Sequence, residues 1–273
     1  MSFVTLSKIV LCRTSIGSFL GSVPFVERAY RYFMLKNSNT AALFVGIHAS
    51  HKEALSFIPV QYQSGWDTGK SSKIWVKHPD YIQPTAYTSF FSLSKIVHAG
   101  SVVADYGGSI GLMYYGYTSR NDFPATAKWI VVEVPSLVIS GQEVALSRNA
   151  ANLEFISNLE SLPDCDILHS AGALQFIEDG VPGFLEKLQT LPQHILLNKV
   201  PLTDAESFWT VHNFGASISP YRIYNKSEFL DYFHKFGYEI KDRWEVPDFS
   251  CDIPFHPEKS VLRCQGFHLC LKK

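Results

Sequence analysis

VVADYGGSIG, at residues 102–111, is the stretch of sequence that decides the fold of this chain. An apolar run that ends in Asp105 and passes into three glycines is typical of a β-strand that turns tightly into an α-helix. Two of the glycines permit backbone angles and close approaches that a Cβ atom would prevent, and the third lets the helix pack against the strand. The stretch therefore predicts an α/β fold with a nucleotide-like ligand at this turn.

The order of the acid and the glycines indicates the ligand. A dinucleotide-binding turn reads G-x-G-x-x-G and faces a pyrophosphate, whereas here Asp105 stands two residues before the first glycine. An anionic side chain at that point favours a cationic ligand over a phosphate. A second predicted strand, 128–133, ends in Glu133, whose carboxylate can accept both hydroxyl protons of a ribose. A ligand with an ammonium group and a ribose but no phosphate fits S-adenosylmethionine.

Predicted strands and helices alternate along the chain, which favours a mostly parallel sheet. Further strands are expected at 101–105, 152–156, 165–169 and 193–199, and two antiparallel strands at 238–246 and 261–271. Helices are expected at 25–37, 50–58, 86–99, 109–118, 136–148, 180–190 and 226–236. The aromatic, turn-rich tract 61–84 is expected to form part of a lid, the kind of segment that carries specificity.

Composition limits the classes of function. The chain has 273 residues, of which 46% are hydrophobic, and this is enough for a sizeable core. It has 24 basic and 25 acidic residues without a basic block, which predicts no nucleic-acid partner. Five cysteines do not make a disulfide framework, so a reducing cytoplasm is the expected location. The spacing of Cys251, His256, Cys264, His268 and Cys270 matches no zinc pattern, so no metal is expected.

The N-terminal segment is apolar but is interrupted by Lys8 and Arg13. Its longest apolar run is too short for a membrane span, so no integral membrane segment is predicted. Apolar residues recur there at helical spacing, which predicts helices that dock onto the body of the protein or onto a second subunit of a homo-oligomer. Peripheral contact with a membrane is the alternative. The predicted domains are an N-terminal helical extension with a lid at 1–99 and a ligand-binding domain at 100–273.

The acid and glycine loop resembles the D/E-x-G-x-G-x-G motif of class I S-adenosylmethionine-dependent methyltransferases, in which a second acid ends the next strand. A narrower resemblance is to a family of bacterial methyltransferases whose genes commonly lie among those for surface-polysaccharide biosynthesis. The segments that carry it are ALFVGIHASHKEAL (42–55), VVADYGGSIG (102–111), WIVVEVPSLV (129–138), DILHSAGALQFIED (166–179) and HILLNKVPL (194–202). The resemblance implies a Rossmann-like fold with a mostly parallel seven-stranded sheet and helices on both faces.

Ligands of open α/β sheets bind at the carboxyl ends of the strands, and this rule selects the candidate cofactor residues. The resemblance makes the glycines a floor under the methionine part and Asp105 an anchor for its ammonium group, directly or through water. Glu133 is expected to bind the ribose, and the residues after the third and fourth strands to flank the adenine and the methyl group. The candidate cofactor-binding residues are Asp105, Tyr106, Gly107, Gly108, Gly111, Glu133, Ser157, Asn158, His169 and Ser170.

Methyl transfer to an oxygen is helped by a general base, and histidine is the usual choice because its pKa lies near neutral pH. The first candidate for this catalytic base is His212, in a predicted loop after the fifth strand, and the second is His169. Lys199 and His212 are candidate substrate-binding residues, and Tyr221 and Arg222 are expected to close the acceptor pocket. For each of them an ordinary surface or packing role is the alternative.

The preferred function is therefore that of an S-adenosylmethionine-dependent methyltransferase. Its expected acceptor is an oxygen of a sugar, a surface-glycan precursor or another small polar metabolite. One alternative is a noncatalytic nucleoside-binding subunit that keeps the fold without the chemistry. The other is a nicotinamide-dependent oxidoreductase, which the order of acid and glycines disfavours.

Overall fold

The computed structural model describes residues 9–36, 42–63, 65–76, 82–247 and 249–272. The chain forms two compact units. The first unit comprises described residues within Met1–Trp66, Pro201–Glu228 and Pro247–Cys264, and the second those within Asp67–Val200, Phe229–Val246 and Gln265–Lys273. The predicted division at residue 99 coincides with no boundary of these units, because strands from distant parts of the chain pair in each of them.

The elements are numbered here in chain order. The principal helices are α1 (Ser15–Gly21), α2 (Pro24–Lys36), α3 (His51–Phe57), α4 (Gly69–Val76), α5 (Tyr87–Ile96), α6 (Leu112–Thr118), α7 (Pro135–Ser147), α8 (Gly180–Glu186) and α9 (Lys226–Lys235). The strands are β1 (Leu43–His48), β2 (Val102–Tyr106), β3 (Lys128–Val132), β4 (Leu153–Ile156), β5 (Ile167–Ala171), β6 (His194–Val200), β7 (Leu202–Thr203), β8 (Phe208–Asn213), β9 (Ile218–Asn225), β10 (Tyr238–Glu245) and β11 (Gln265–Leu271).

The second unit contains a seven-stranded sheet with the order β10-β11-β6-β5-β2-β3-β4. The five strands from β6 to β4 are parallel, and β11 is antiparallel to both of its neighbours. Strand β3 reads KWIVV, and four of its five residues are buried, as expected for a strand with helices on both faces of a parallel sheet. The predicted mostly parallel α/β sheet is confirmed.

One face of this sheet carries the main apolar core of the second unit. Val103, Trp129 and Ile167 come from three neighbouring strands and are fully buried. Phe90 of α5 and Tyr117 of α6 pack in the same cluster. Aromatic side chains bury large apolar areas, so this layer holds α5 and α6 against one face of the sheet.

The first unit contains a four-stranded sheet with the order β1-β8-β9-β7, which the sequence analysis does not predict. Strand β1 lies in the N-terminal extension, together with helices α1, α2 and α3. Met34, Val45, Trp209 and Val211 belong to the apolar cluster of this unit. The pairing of β1 with β8 joins Leu43 to Asn213, so local sequence patterns carry little information about it.

Two further expectations concern the N-terminal half. The tract 61–84 contains α4, so it is partly helical rather than composed of turns alone, and its role as a lid stays a prediction. Residues 1–8 lie outside the described residues, so the expected helix there is not described. Among the helices that the structure describes, none combines the length and the apolar character that a membrane crossing requires.

Candidate functional site

The loop at 107–111 joins β2 to α6 in the second unit. Gly107 has φ 74°, and its N–H donates to the carbonyl of Val132 on β3 at 2.9 Å. A Cβ atom on Gly108 would lie 2.5 Å from Oδ2 of Asp105, so a side chain there would displace the acid. These glycines are therefore required by the turn and by the packing of Asp105. The floor that the loop was predicted to form under a methionine group stays a prediction.

Glu133 directly follows β3, next to this loop. Its Oε1 accepts the backbone N–H of Ser109 at 3.0 Å, and its Oε2 accepts the N–H of Val134 at 2.9 Å. Burial raises the pKa of Glu133 to about 7. The two backbone donors lower the pKa, because they favour the charged form, but their effect is smaller than that of burial. The negative charges of Asp105 and Asp67 raise it further. The carboxylate keeps lone pairs for further donors, because each oxygen can accept about two hydrogen bonds.

Asp105 lies at the centre of a buried polar network. Its Oδ1 is 2.7 Å from Nδ1 of His169, and its Oδ2 accepts the indole N–H of Trp129 at 3.3 Å. Asp105 and His169 are 1% and 0% exposed, so this contact is closed to solvent. Each carboxylate oxygen of Asp105 already has a side-chain partner. The predicted anchoring of an ammonium group by Asp105 stays a prediction.

The two nitrogens of His169 are in different environments. Nδ1 contacts the carboxylate of Asp105, which as an acceptor favours a proton on that nitrogen. Nε2 is buried and has no hydrogen-bond partner among the described residues. The contact thus favours the tautomer in which Nε2 carries the basic lone pair.

The remaining candidates on β2 and β5 join the two strands. The hydroxyl of Ser170 donates to the carbonyl of Tyr106 at 3.0 Å. The ring of Tyr106 packs edge-on against Phe184, with 4.7 Å between the ring centroids. Burial raises the pKa of Tyr106, and the charge of Glu133 adds to this effect. The structure therefore brings Asp105, His169, Ser170 and Tyr106 together at the carboxyl ends of neighbouring strands.

Ser157 and Asn158 follow β4 and are both exposed. Oδ1 of Asn158 accepts the N–H of Glu160 at 2.9 Å, which caps the short helical turn Leu159–Ser161. This cap is a sufficient structural reason for an asparagine at that position. Contact of these two residues with an adenine ring stays a prediction.

Lys199 lies near the carboxyl end of β6 with φ 59°, a left-handed angle that is uncommon for a residue with a side chain. Its Nζ donates to Oε1 of Gln83, and its N–H donates to Oδ1 of Asn198 at 3.0 Å. Asn198 in turn donates to the carbonyl of Thr85 at 2.7 Å. The segment before α5 is thus bonded to the end of β6, where Lys199 was predicted to bind the substrate.

His212, Tyr221 and Arg222 belong to the first unit. His212 lies on strand β8 and not in a loop as predicted, because 208–213 pairs with both β1 and β9. The rings of Phe44 and Tyr221 lie 4.9 and 5.2 Å from its ring. Arg222 lies over the rings of Trp209 and Tyr224. Because successive residues of a strand point to opposite faces, Tyr221 and Arg222 do not share one face of the sheet.

Three residues that contact candidate site residues in the second unit were not predicted from the sequence. Trp129 was assigned only to a strand, yet its indole N–H binds Asp105. Gln83 binds Lys199 from the tract predicted as a lid. Ser109 binds Glu133 through its N–H, and its position among the glycines of the loop was the one available signal. No group of three or more potential metal ligands occurs within the described ranges.

The fold is similar to those of solved methyltransferases. The 1,6-didemethyltoxoflavin-N1-methyltransferase of Burkholderia thailandensis, with bound 1,6-didemethyltoxoflavin and S-adenosylhomocysteine, is 14% identical with a TM-score of 0.50 over 70% of this chain and 79% of that chain. The magnesium protoporphyrin IX methyltransferase of Synechocystis PCC 6803, with bound S-adenosylmethionine, is 14% identical with a TM-score of 0.50 over 77% and 88%. No family profile and no curated protein sequence matches the chain.

At this level of identity the comparison establishes the fold and leaves the substrate open. The mostly parallel seven-stranded sheet, with its glycine loop after β2 and its acid after β3, is the Rossmann-like fold of the class I S-adenosylmethionine-dependent methyltransferases. The predicted fold class is therefore confirmed.

Proposed function

We propose that this protein is a methyltransferase that uses S-adenosylmethionine. The observation that carries the proposal is the position of Glu133, a partly buried carboxylate held by the N–H groups of Ser109 and Val134 beside the glycine loop. A carboxylate fixed in this way is ready to accept the two hydroxyl protons of a ribose. The charged side chains that raise its pKa, Asp105 and Asp67, are both acids, and a negatively charged environment suits a sulfonium nucleoside better than a dinucleotide.

Two solved structures of the same fold support this ligand. The Burkholderia thailandensis enzyme holds S-adenosylhomocysteine and the Synechocystis enzyme holds S-adenosylmethionine. In an open α/β sheet such a ligand binds outside the carboxyl ends of the strands, and Glu133 follows the carboxyl end of β3. The electrophile is then supplied by the cofactor, and the protein contributes mainly alignment of the acceptor.

Calorimetric titration with S-adenosylhomocysteine and with NAD tests the class of protein. We expect micromolar binding of S-adenosylhomocysteine and no binding of NAD. Glu133→Gln should weaken that binding by about tenfold or more, because hydrogen bonds to a charged group contribute about 1.5–3 kcal/mol each. Glu143→Gln, at an exposed position of α7, is the matched control and should bind as the wild type does. Binding of NAD alone would refute the proposal in favour of an oxidoreductase.

The proposed acceptor is an oxygen of a sugar, a surface-glycan precursor or another small polar metabolite. His212 is the proposed general base, with His169 as the second candidate. Lys199 is proposed to pair with a carboxylate or phosphate of the acceptor, and Tyr221 and Arg222 to contribute to acceptor binding. These assignments follow the positions predicted from the sequence and the chemistry of each side chain.

Transfer of a labelled methyl group from S-adenosylmethionine to a panel of nucleotide sugars, simple sugars and polar amines tests the acceptor class. Labelling of a sugar oxygen supports the proposal, and labelling of amines alone refutes it. Binding of S-adenosylhomocysteine without transfer to any member of a broad panel would instead indicate a noncatalytic nucleoside-binding subunit.

We also propose that the protein acts in the cytoplasm and associates with a second copy of itself through its N-terminal helices. The association is supported by exposed aromatic side chains on α1 and α2. These are Phe19, Phe25 and Phe33, which are 71%, 72% and 58% exposed. Exposed apolar clusters commonly mark association surfaces. Light scattering over a range of concentrations measures the mass in solution, and a mass equal to that of one chain throughout would refute the association.

A further inference from the structure

Ser109 stands at a position where the methyltransferase motif has a glycine. The pattern D/E-x-G-x-G-x-G, laid on residues 105–111, places its second glycine at Ser109. Ser109 nevertheless has φ 56°, in the left-handed region that glycine enters without cost and other residues seldom adopt. A serine here carries backbone strain that a glycine would remove. Residues in such conformations concentrate at functional sites, where the surrounding structure holds them in place.

The hydroxyl of Ser109 has no partner within the described part of the chain, although its Oγ is buried. A buried hydroxyl without a hydrogen bond is unfavourable, so this atom adds to the cost of the backbone angle instead of offsetting it. The protein on its own therefore gives no reason for a serine at this position. A ligand that reaches the loop would supply the missing partner.

The backbone of Ser109 contacts Glu133. Its N–H donates to Oε1 of Glu133 at 3.0 Å, so its own hydroxyl is next to the carboxylate proposed to hold the ribose. A hydroxyl is both a donor and an acceptor and matches the hydroxyls of a sugar in either direction. The arrangement thus places two polar side chains, one anionic and one neutral, around the same expected diol.

We propose that Ser109 Oγ hydrogen-bonds the ribose of the bound sulfonium nucleoside together with Glu133, and that Ser109 is a residue that determines cofactor affinity. This assignment rests on the proposed cofactor. It extends the site to a residue that is not among the candidate cofactor-binding residues predicted from the sequence. The strained angle is then the cost of presenting the hydroxyl to the ligand from inside the loop.

Two variants separate the side chain from the backbone. Ser109→Gly removes the strain and the hydroxyl, so it should raise Tm by a few degrees and weaken binding of S-adenosylhomocysteine by about threefold to tenfold. Ser109→Ala keeps the strain and should weaken binding to a similar extent. The control is Asn149→Gly, an exposed position after α7 with φ 51°, which should raise Tm and leave the affinity unchanged. Affinity that is unchanged or improved in folded Ser109→Gly would overturn the assignment.

The second probe, 5′-methylthioadenosine, carries the ribose and lacks the amino-acid part of the cofactor. We expect Ser109→Ala to weaken binding of this probe and of S-adenosylhomocysteine by the same factor. A loss confined to S-adenosylhomocysteine would place the hydroxyl at the amino-acid part and overturn the ribose assignment. If the wild-type protein does not bind S-adenosylhomocysteine, the proposed cofactor is wrong. If the wild type binds it and the Ser109 variants bind it equally well, the cofactor stands and only the role of Ser109 is wrong.

Discussion

Cofactor affinity should depend on pH through Glu133. Burial raises the pKa of this carboxyl to about 7, from an ordinary value of 4.5, because the charged form loses solvation. A ribose diol donates two protons and therefore selects the ionised form. At pH 6 only about 10% of the protein has an ionised Glu133, and at pH 8 about 90% has one. The affinity for S-adenosylhomocysteine should therefore be about tenfold lower at pH 6 than at pH 8.

Calorimetry in buffers of different ionisation enthalpy measures this linkage directly. Binding at pH 6 should release about 0.9 proton per molecule of S-adenosylhomocysteine, and binding at pH 8 about 0.1. The ligand itself has no group that titrates in this range. Glu133→Gln should bind more weakly and with a nearly constant affinity from pH 6 to pH 8. Equal affinity of the wild type at pH 6 and pH 8, or proton uptake on binding at pH 6, would refute the reasoning.

The same pKa has an opposite consequence for the ligand-free protein. The pKa of this carboxyl is higher in the folded protein than in the unfolded chain. At pH values between these two pKa values, the folded protein therefore binds more protons than the unfolded chain. The contribution of Glu133 to the free energy of unfolding therefore falls as the pH rises from about 4.5 to about 7. Stability and cofactor affinity should thus change in opposite directions over this window.

Other substitutions test the network around Asp105 and the proposed base. Trp129→Phe removes one hydrogen bond to Asp105 and should lower the free energy of unfolding by about 1–2 kcal/mol in urea denaturation, and an unchanged value would contradict the contact. Gly108→Ala should cost about 1–3 kcal/mol, because its Cβ would meet Asp105, whereas Gly69→Ala, with open space, should cost nothing. His212→Gln should lower kcat by about 10²-fold or more once an acceptor is known, with cofactor affinity unchanged, and full turnover would exclude it as the base.

The sheet of the second unit could be predicted because its signals are local. The strand predicted at 128–133 is observed at Lys128–Val132, and the one predicted at 193–199 is observed at His194–Val200. Buried parallel strands read as short apolar runs, and the alternation with helices fixes their direction. The acids and glycines in the sequence then mark the carboxyl ends of β2 and β3, where the candidate site lies.

The sheet of the first unit could not be predicted for the opposite reason. Strand β1 pairs with β8, and Thr210 Oγ1 donates to the carbonyl of Val45, a residue 165 positions earlier in the chain. Both segments are rich in apolar and β-forming residues, but each strand's partner lies far away in the sequence. His212 was assigned to a loop in consequence, although its neighbours Val211 and Asn213 are buried strand residues. The face of the sheet on which a side chain lies depends on this pairing. The sequence alone therefore could not predict that Tyr221 and Arg222 lie on opposite faces.

The two acids of the candidate site have different surroundings, which the spacing of the motif does not reveal. Both Asp105 and Glu133 come at the ends of neighbouring parallel strands, and from the sequence alone both are expected to bind the cofactor. In the structure the carboxylate of Asp105 is occupied by the side chains of His169 and Trp129 and is closed to solvent. The carboxylate of Glu133 is held by backbone N–H groups, which fix its position and leave acceptor capacity for a ligand. Asp105 therefore links β2 to β3 and β5 through side-chain contacts, while Glu133 is the acid that we propose presents its charge to the ligand.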